Sequence, residues 1–176
     1  MNPPFCLERL GVQHDRASFT CGVDALDGYF KAQVTQDIRR RVANCFVAVE
    51  SANRLVVAYY TIASASIPTS SLPPELAKRL PRYPTLPAVR IGRLAVDLRY
   101  RGRGFGTALL ADAALKSLNA APATFALLVD AKDEQAVAFY RYHGFQPFAS
   151  LPGTLFLPLA TAEKSLLDLG ALNVLT

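Results

Sequence analysis

The sequence predicts an α/β fold: a mixed, mostly antiparallel twisted sheet with a central parallel pair of strands and helices on both faces. Three observations predict it. Residues 89–130 run strand, glycine-rich loop, helix, strand, and a right-handed crossover of that kind makes the two strands parallel. Residues 45–50 and 54–65 are β-branched and aromatic stretches joined by Ser51-Ala52-Asn53, which reads as an antiparallel hairpin. Val23, Leu26, Tyr29, Phe30 and Val34 recur at helical spacing.

Composition bounds the problem. The chain has 176 residues, which fits one domain over 1–176 with a sizeable core. Hydrophobic residues make up 51% and charged residues 19%, so disorder is excluded. No apolar run approaches the roughly 20 residues of a membrane span. Met1-Asn2-Pro3-Pro4 does not open a signal peptide, so a cytoplasmic protein without a membrane partner is expected. Cys6, Cys21 and Cys45 are odd in number and lack metal-ligand spacing, as suits a reducing compartment. Two histidines, His14 and His143, are too few for a His-based metal site, and no metal is expected. The formal net charge of +5 favours a polyanionic partner without choosing among polyanions.

In chain order, Phe5–Leu10 reads as a first strand. The helix through Val23 and Val34 is weakened near Gly28 and continues over Thr35–Arg41, ending in three arginines. After the hairpin, residues 68–87 carry six prolines, at 68, 73, 74, 81, 84 and 87. They predict a loop with one short helix over 74–80, entered through proline. Residues 89–96 are the central strand, and 107–118 a buried helix with apolar residues at Ala108, Leu109, Ala111, Leu115 and Leu118. Thr124–Ala131 lacks polar alternation and so is buried on both faces. Asp130 or Asp133 caps a helix over 134–142, which Gly144 closes in the left-handed conformation while Phe145 packs back. Residues 146–149 and 154–159 are the last strands, and 162–169 a closing helix.

The chemistry concentrates after the central strand. Arg99, Arg101 and Arg103 interleave with Gly102, Gly104 and Gly106 ahead of a helix start. Glycines let the backbone turn tightly and approach a ligand. Helix N–H groups and dipole favour an anion there, and guanidinium groups fork onto phosphate oxygens. A pyrophosphate cradle is expected. A P-loop would need Lys after its last glycine, and none follows Gly106. A dinucleotide fingerprint would need Gly-x-Gly-x-x-Gly at a first strand. The bland alternative is a solvated Arg/Gly turn.

Arg101-Gly102-Arg103-Gly104-Phe105-Gly106 resembles the acetyl-CoA motif of the GNAT N-acetyltransferase superfamily, Arg/Gln-x-x-Gly-x-Gly/Ala. Leu94-Ala95-Val96 resembles that family's pantetheine-binding strand, and Phe139-Tyr140 through Gly144-Phe145 its signature beside the CoA thiol. The resemblance implies a GNAT-like sheet whose central parallel pair, about 89–96 and 124–130, splays to admit acetyl-CoA as cosubstrate. It implies cofactor contacts at Leu94, Ala95, Val96, Arg101, Gly102, Arg103, Gly104, Phe105, Gly106, Thr107 and Phe139, and a carbonyl donor at the amide of Val96 or a neighbour.

Phe19-Thr20-Cys21-Gly22 with Leu26-Asp27-Gly28-Tyr29-Phe30, and Leu80–Val89 before the central strand, resemble one GNAT branch in particular. These are the toxins of toxin–antitoxin pairs that acetylate aminoacyl-tRNA. That implies an aminoacyl-tRNA substrate and a cognate ribbon-helix-helix antitoxin, and it allows a homodimer. Arg39, Arg40, Arg82, Arg90 and Arg93 are then candidate tRNA contacts. The run at 39–41 reads equally as a solvated face, and Arg90 and Arg93 as structural residues of a strand.

Acetyl transfer needs a neutral amine, donors for the carbonyl oxygen, and a proton for the departing thiolate. Tyr140 is the candidate catalytic acid, since a phenol stays protonated at neutral pH; its alternative is a core aromatic. Asp97 and Glu50 are possible bases without further support. Two other readings stay open: an acetyltransferase for small-molecule or protein N-terminal amines, and a non-catalytic CoA-binding regulatory module.

Overall fold

The computed structural model describes residues 4–151 and 153–168. Seven strands form one sheet: β1 (Phe5–Arg9), β2 (Asn44–Glu50), β3 (Val56–Pro68), β4 (Thr85–Val96), β5 (Ala126–Asp130), β6 (Gln146–Pro147) and β7 (Thr154–Pro158). Their order is β1-β2-β3-β4-β5-β7-β6. β1/β2, β2/β3, β5/β7 and β6/β7 are antiparallel. β4 and β5 run parallel, with Ala88 to Ile91 opposite Ala126 to Val129. β4 runs on to Val96 while the paired register stops at Ile91. The expected mixed sheet with its central parallel pair is present. The segment from β4 to β5 is the crossover that makes them parallel.

The helices are α1 (Asp24–Gly28), α2 (Val34–Arg39), α3 (Pro74–Ala77), α4 (Phe105–Leu118), α5 (Glu134–Tyr142) and α6 (Leu159–Asp168). The break expected near Gly28 is a π-turn over Tyr29–Gln33 that joins α1 to α2. Gly28 itself is helical, with φ −60°. α2 ends at Arg39 rather than Arg41, because Arg41 adopts a positive φ of 59°. α4 starts two residues earlier than expected, which places Phe105 and Gly106 inside it. α6 likewise starts at Leu159, and its expected end at Leu169 lies outside the described residues. β6 keeps only two of four expected residues. α5 agrees to the residue: Asp133 accepts from the Ala136 amide, and Gly144 has φ 91°.

Two compact units divide the chain. One comprises the residues up to Ala63 together with Gly92–Asp112, and the other Ser64–Ile91 with the residues from Ala113 onward. The first packs Phe19, Phe30, Val34, Val47, Val49, Tyr59 and Ala95 into a core. Phe30 stacks on Tyr59 with centroids 4.2 Å apart, and Phe19 meets both edge-on. Neighbouring residues of a strand face opposite sides. Accordingly the Tyr59 hydroxyl donates to the Leu26 carbonyl in α1, while that of Tyr60 donates to Asp112 in α4. Helices therefore cover both faces of β3. The second unit has its own core, from Ile67, Leu86, Ala88, Ala126, Leu128, Phe148 and Phe156. Among the described residues no helix is long and apolar enough to cross a membrane.

Candidate active site

The turn after β4 is built on Asp97. Its side chain, 0% exposed, accepts from the Thr20 amide, the Arg99 amide and the Arg99 guanidinium. This carboxylate caps the 3-10 turn Leu98–Tyr100. Burial pushes its pKa up, but the hydrogen bonds from Arg99 and Thr20 outweigh burial and hold it below the usual value. A carboxylate so saturated with donors is an anchor, and it is not placed to take a proton from an amine. Glu50, the other possible base, accepts from the Tyr100 hydroxyl at 2.8 Å and from Asn53.

Tyr100 and Phe105 bracket the glycines. Both rings are buried and meet edge-on with Phe5, Phe105 at 4.7 Å and Tyr100 at 6.2 Å. Between them residues 101–104 are exposed. Gly102 and Gly104 have φ 72° and 83°, and a Cβ on either would meet open space. That combination is a backbone cradle: left-handed φ turns amides to one side, and nothing of the protein fills the concavity. The first N–H groups of α4, which begins at Phe105, lack intrahelical acceptors and add to it. A diphosphate fits this arrangement.

The three arginines are not equivalent. Arg99 is paired with Asp97. Arg101 donates to the Cys21 carbonyl, and so ties the turn to the Cys21-Gly22 bend. Arg103 lies over the Tyr100 ring at 5.0 Å and makes no ion pair among the described residues. Of the three, Arg103 is the one with no ion pair or hydrogen bond among the described residues. Phe105 offers its amide, not its ring.

On β4, Ala95 is buried in the core while Leu94 and Val96 are partly exposed. On this stretch the backbone and those two side chains are what the strand leaves open. Arg93 and Arg90 lie upstream. Arg90 pairs with Asp130 across the parallel strands. The Arg93 guanidinium sits 3.4 Å from the centroid of the Tyr29 ring. Arg39 and Arg40 are exposed at the end of α2, and Arg82 is exposed ahead of β4; none makes an ion pair among the described residues.

Tyr140 lies on α5 with 9% of its surface exposed, edge-on to Phe139 and Phe145. Its hydroxyl takes no hydrogen-bond partner among the described residues. Burial alone pushes its pKa up to about 12, so the phenol keeps its proton throughout neutral pH. Tyr142 points elsewhere, 86% exposed, as two-residue spacing on a helix requires. Phe139 is half-buried, between Tyr140 and His143. Sequence reasoning missed the anchoring part of Asp97 and the Tyr29–Arg93 contact. An acidic cap ahead of Leu-Arg-Tyr could have signalled the first; nothing local signals the second.

Sheet and turn together define an α/β protein with an open, glycine-built backbone turn at a helix start. Residues 41–147 match the acetyltransferase (GNAT) domain family, and the chain belongs to that family of acetyl-CoA-dependent N-acetyltransferases. The chain is 33% identical over 161 residues to a probable toxin TacT of Sinorhizobium fredii, covering 86% of this chain and 89% of the relative. It is 30% identical over 162 residues to a tRNA-acetylating toxin of Mycobacterium tuberculosis, covering 91% and 95%. The solved complex of AtaT with acetyl-methionyl-tRNAfMet superposes with a TM-score of 0.82 at 28% identity, covering 90% of this chain and 97% of that one. A mutant of AtaT bound to acetyl-CoA and the C-terminus of the antitoxin AtaR superposes with a TM-score of 0.76 at 25% identity, covering 92% and 97%.

Proposed function

We propose that this protein is a toxin that transfers acetyl from acetyl-CoA to the α-amine of aminoacyl-tRNA, blocking translation in the cytoplasm until a cognate ribbon-helix-helix antitoxin restrains it. One observation carries the reading. The likeness to the curated toxins covers 86% and 91% of the chain, well beyond the acetyltransferase domain at 41–147. The reading treats 1–176 as one GNAT-like domain.

In it, the Gly102–Gly104 backbone, the α4 start and Arg103 hold the diphosphate of CoA. Leu94–Val96 line its arm. The α-amine of an aminoacyl ester is less basic than a lysine and is partly neutral near pH 7, so solvent suffices as base. Its attack on the thioester carbonyl forms the C–N bond, breaks the C–S bond, and moves one proton from nitrogen to sulfur. Tyr140 donates a hydrogen bond to that sulfur. Full transfer from a phenol near 12 to a thiolate of ordinary pKa is uphill by about 5 kcal/mol. Tyr140 therefore stabilises the departing charge, while the net proton originates on the amine.

Incubation with labelled acetyl-CoA and a mixture of charged tRNAs tests this. Label on aminoacyl groups is expected, falling about 10²–10⁴-fold in Tyr140→Phe with acetyl-CoA binding retained. Label appearing on small amines or protein N-termini but not on tRNA would replace the acceptor, and undiminished turnover in Tyr140→Phe would remove Tyr140 from the mechanism.

A further inference from the structure

Arg93 stands where a cation needs a reason. In β4 it shares the pleat side of Ile91 and Ala95, both buried. Ala95 belongs to the same apolar core as Tyr29, Phe30 and Tyr59. A guanidinium entering that side loses water, and the Tyr29 ring face, 3.4 Å away, takes its charge. Tyr29 is 3% exposed and donates its hydroxyl to Asp37 at 2.8 Å. A phenol that donates to a carboxylate carries more electron density on its ring, which strengthens the hold on a cation. The π-turn Tyr29–Gln33 makes this reachable. Its extra residue shifts the helical register, burying Tyr29 and Phe30 side by side while Asp37 stays within reach on α2. Single π-turns inside helices are frequent at functional sites.

We infer that Tyr29, ring under Arg93 and hydroxyl on Asp37, is a positioning residue that presents the Arg93 guanidinium to a phosphate of the acceptor RNA. This rests on the proposed aminoacyl-tRNA acceptor and deepens it. Arg93 precedes Leu94–Val96, the stretch read as lining the donor's arm, so a phosphate held there sets the acceptor strand beside the thioester. A ring-held guanidinium keeps its charge and its outward N–H edges while losing its freedom, which a surface arginine does not.

The test uses the full chain and a double-mutant cycle. Binding of uncharged tRNA is measured against salt, and initial rates against aminoacyl-tRNA and acetyl-CoA separately. Arg93→Gln should lower the slope of log affinity on log salt by about one and raise the KM for aminoacyl-tRNA roughly tenfold, with the KM for acetyl-CoA unchanged. Tyr29→Leu should do the same, and the double variant should be no worse than Arg93→Gln alone. Tyr29→Phe keeps the ring face and should recover most of the effect, and it serves where Tyr29→Leu does not fold. A wild-type salt slope in Arg93→Gln, or additive losses in the double variant, overturns the inference. So does a defect in Tyr29→Phe as deep as that of Arg93→Gln. Failure of the wild-type protein to acetylate charged tRNA would instead sink the proposed function.

Discussion

The guanidinium of Arg101 hydrogen-bonds the backbone carbonyl of Cys21, eighty positions earlier in the chain. The contact belongs to a larger seam: the Leu98 amide donates to the Thr20 carbonyl, the Thr20 amide donates to Asp97, and Gly22, at φ 83°, leaves room for the Leu98 side chain. The Phe19–Gly22 stretch and the glycine turn are thus one local structure. Arg101→Ala should destabilise the fold by about 1–2 kcal/mol through the lost charge-assisted bond. It should also weaken acetyl-CoA by about tenfold, about 1.4 kcal/mol, because the cradle loses its brace. Calorimetric titration alongside denaturant unfolding reads both.

Gly104→Ala separates backbone shape from space. A Cβ there meets nothing, yet the left-handed φ of 83° strains any residue that carries one. The strain of about 1–3 kcal/mol is relieved by rotating the turn, which withdraws its amides from the ligand. The expected outcome is a folded protein with a near-wild-type melting curve and acetyl-CoA affinity reduced at least tenfold. Gly28→Ala, in a helical conformation with nothing within 4 Å, is the control and should leave affinity unchanged.

Asp97 gives a pH signature. Its folded pKa lies below its ordinary value, so its contribution to stability is complete above the unfolded pKa of about 4 and is lost as pH falls below it. Asp97→Asn should cost about 2–3 kcal/mol at pH 7, since several donors converge on the buried carboxylate. Urea unfolding from pH 7 to pH 3 should show the gap between the two proteins narrowing only at the acid end.

Arg90 and Arg39 should part company. Arg90 is already neutralised by Asp130, whose second oxygen accepts from Thr154 at 2.9 Å. Both partners are substantially exposed, so Arg90→Gln should cost no more than about 1 kcal/mol of stability. It should leave the salt slope of tRNA binding nearly unchanged. Arg39→Gln, removing an exposed cation with no ion pair among the described residues, should reduce that slope by about one. Fluorescence anisotropy with labelled tRNA over a salt series distinguishes them.

Several features were legible in the sequence because they depend on neighbours in the chain. The α5 limits followed from a capping aspartate, Asp130 or Asp133, and Gly144 as closing residue, both local devices; the structure chose Asp133. The β4–turn–α4 order and a tight turn between them likewise needed only the glycine spacing at 102–106. The π-turn after Gly28 was less legible: a weak helix position does not say which register the chain takes beyond it.

What the amino-acid order determined by itself was the parallel crossover, the glycine turn at a helix start and the resemblance that led to the acetyltransferase family. Short-range geometry and side-chain periodicity act within one element and can be read there. Only the tertiary structure decided what each charge is for. Asp97 became an anchor, Arg99 and Arg90 became paired, Arg101 became a brace, and Arg93 came to rest on Tyr29. A charged side chain's role is set by the group that meets it across the fold, and that group can lie anywhere in the chain.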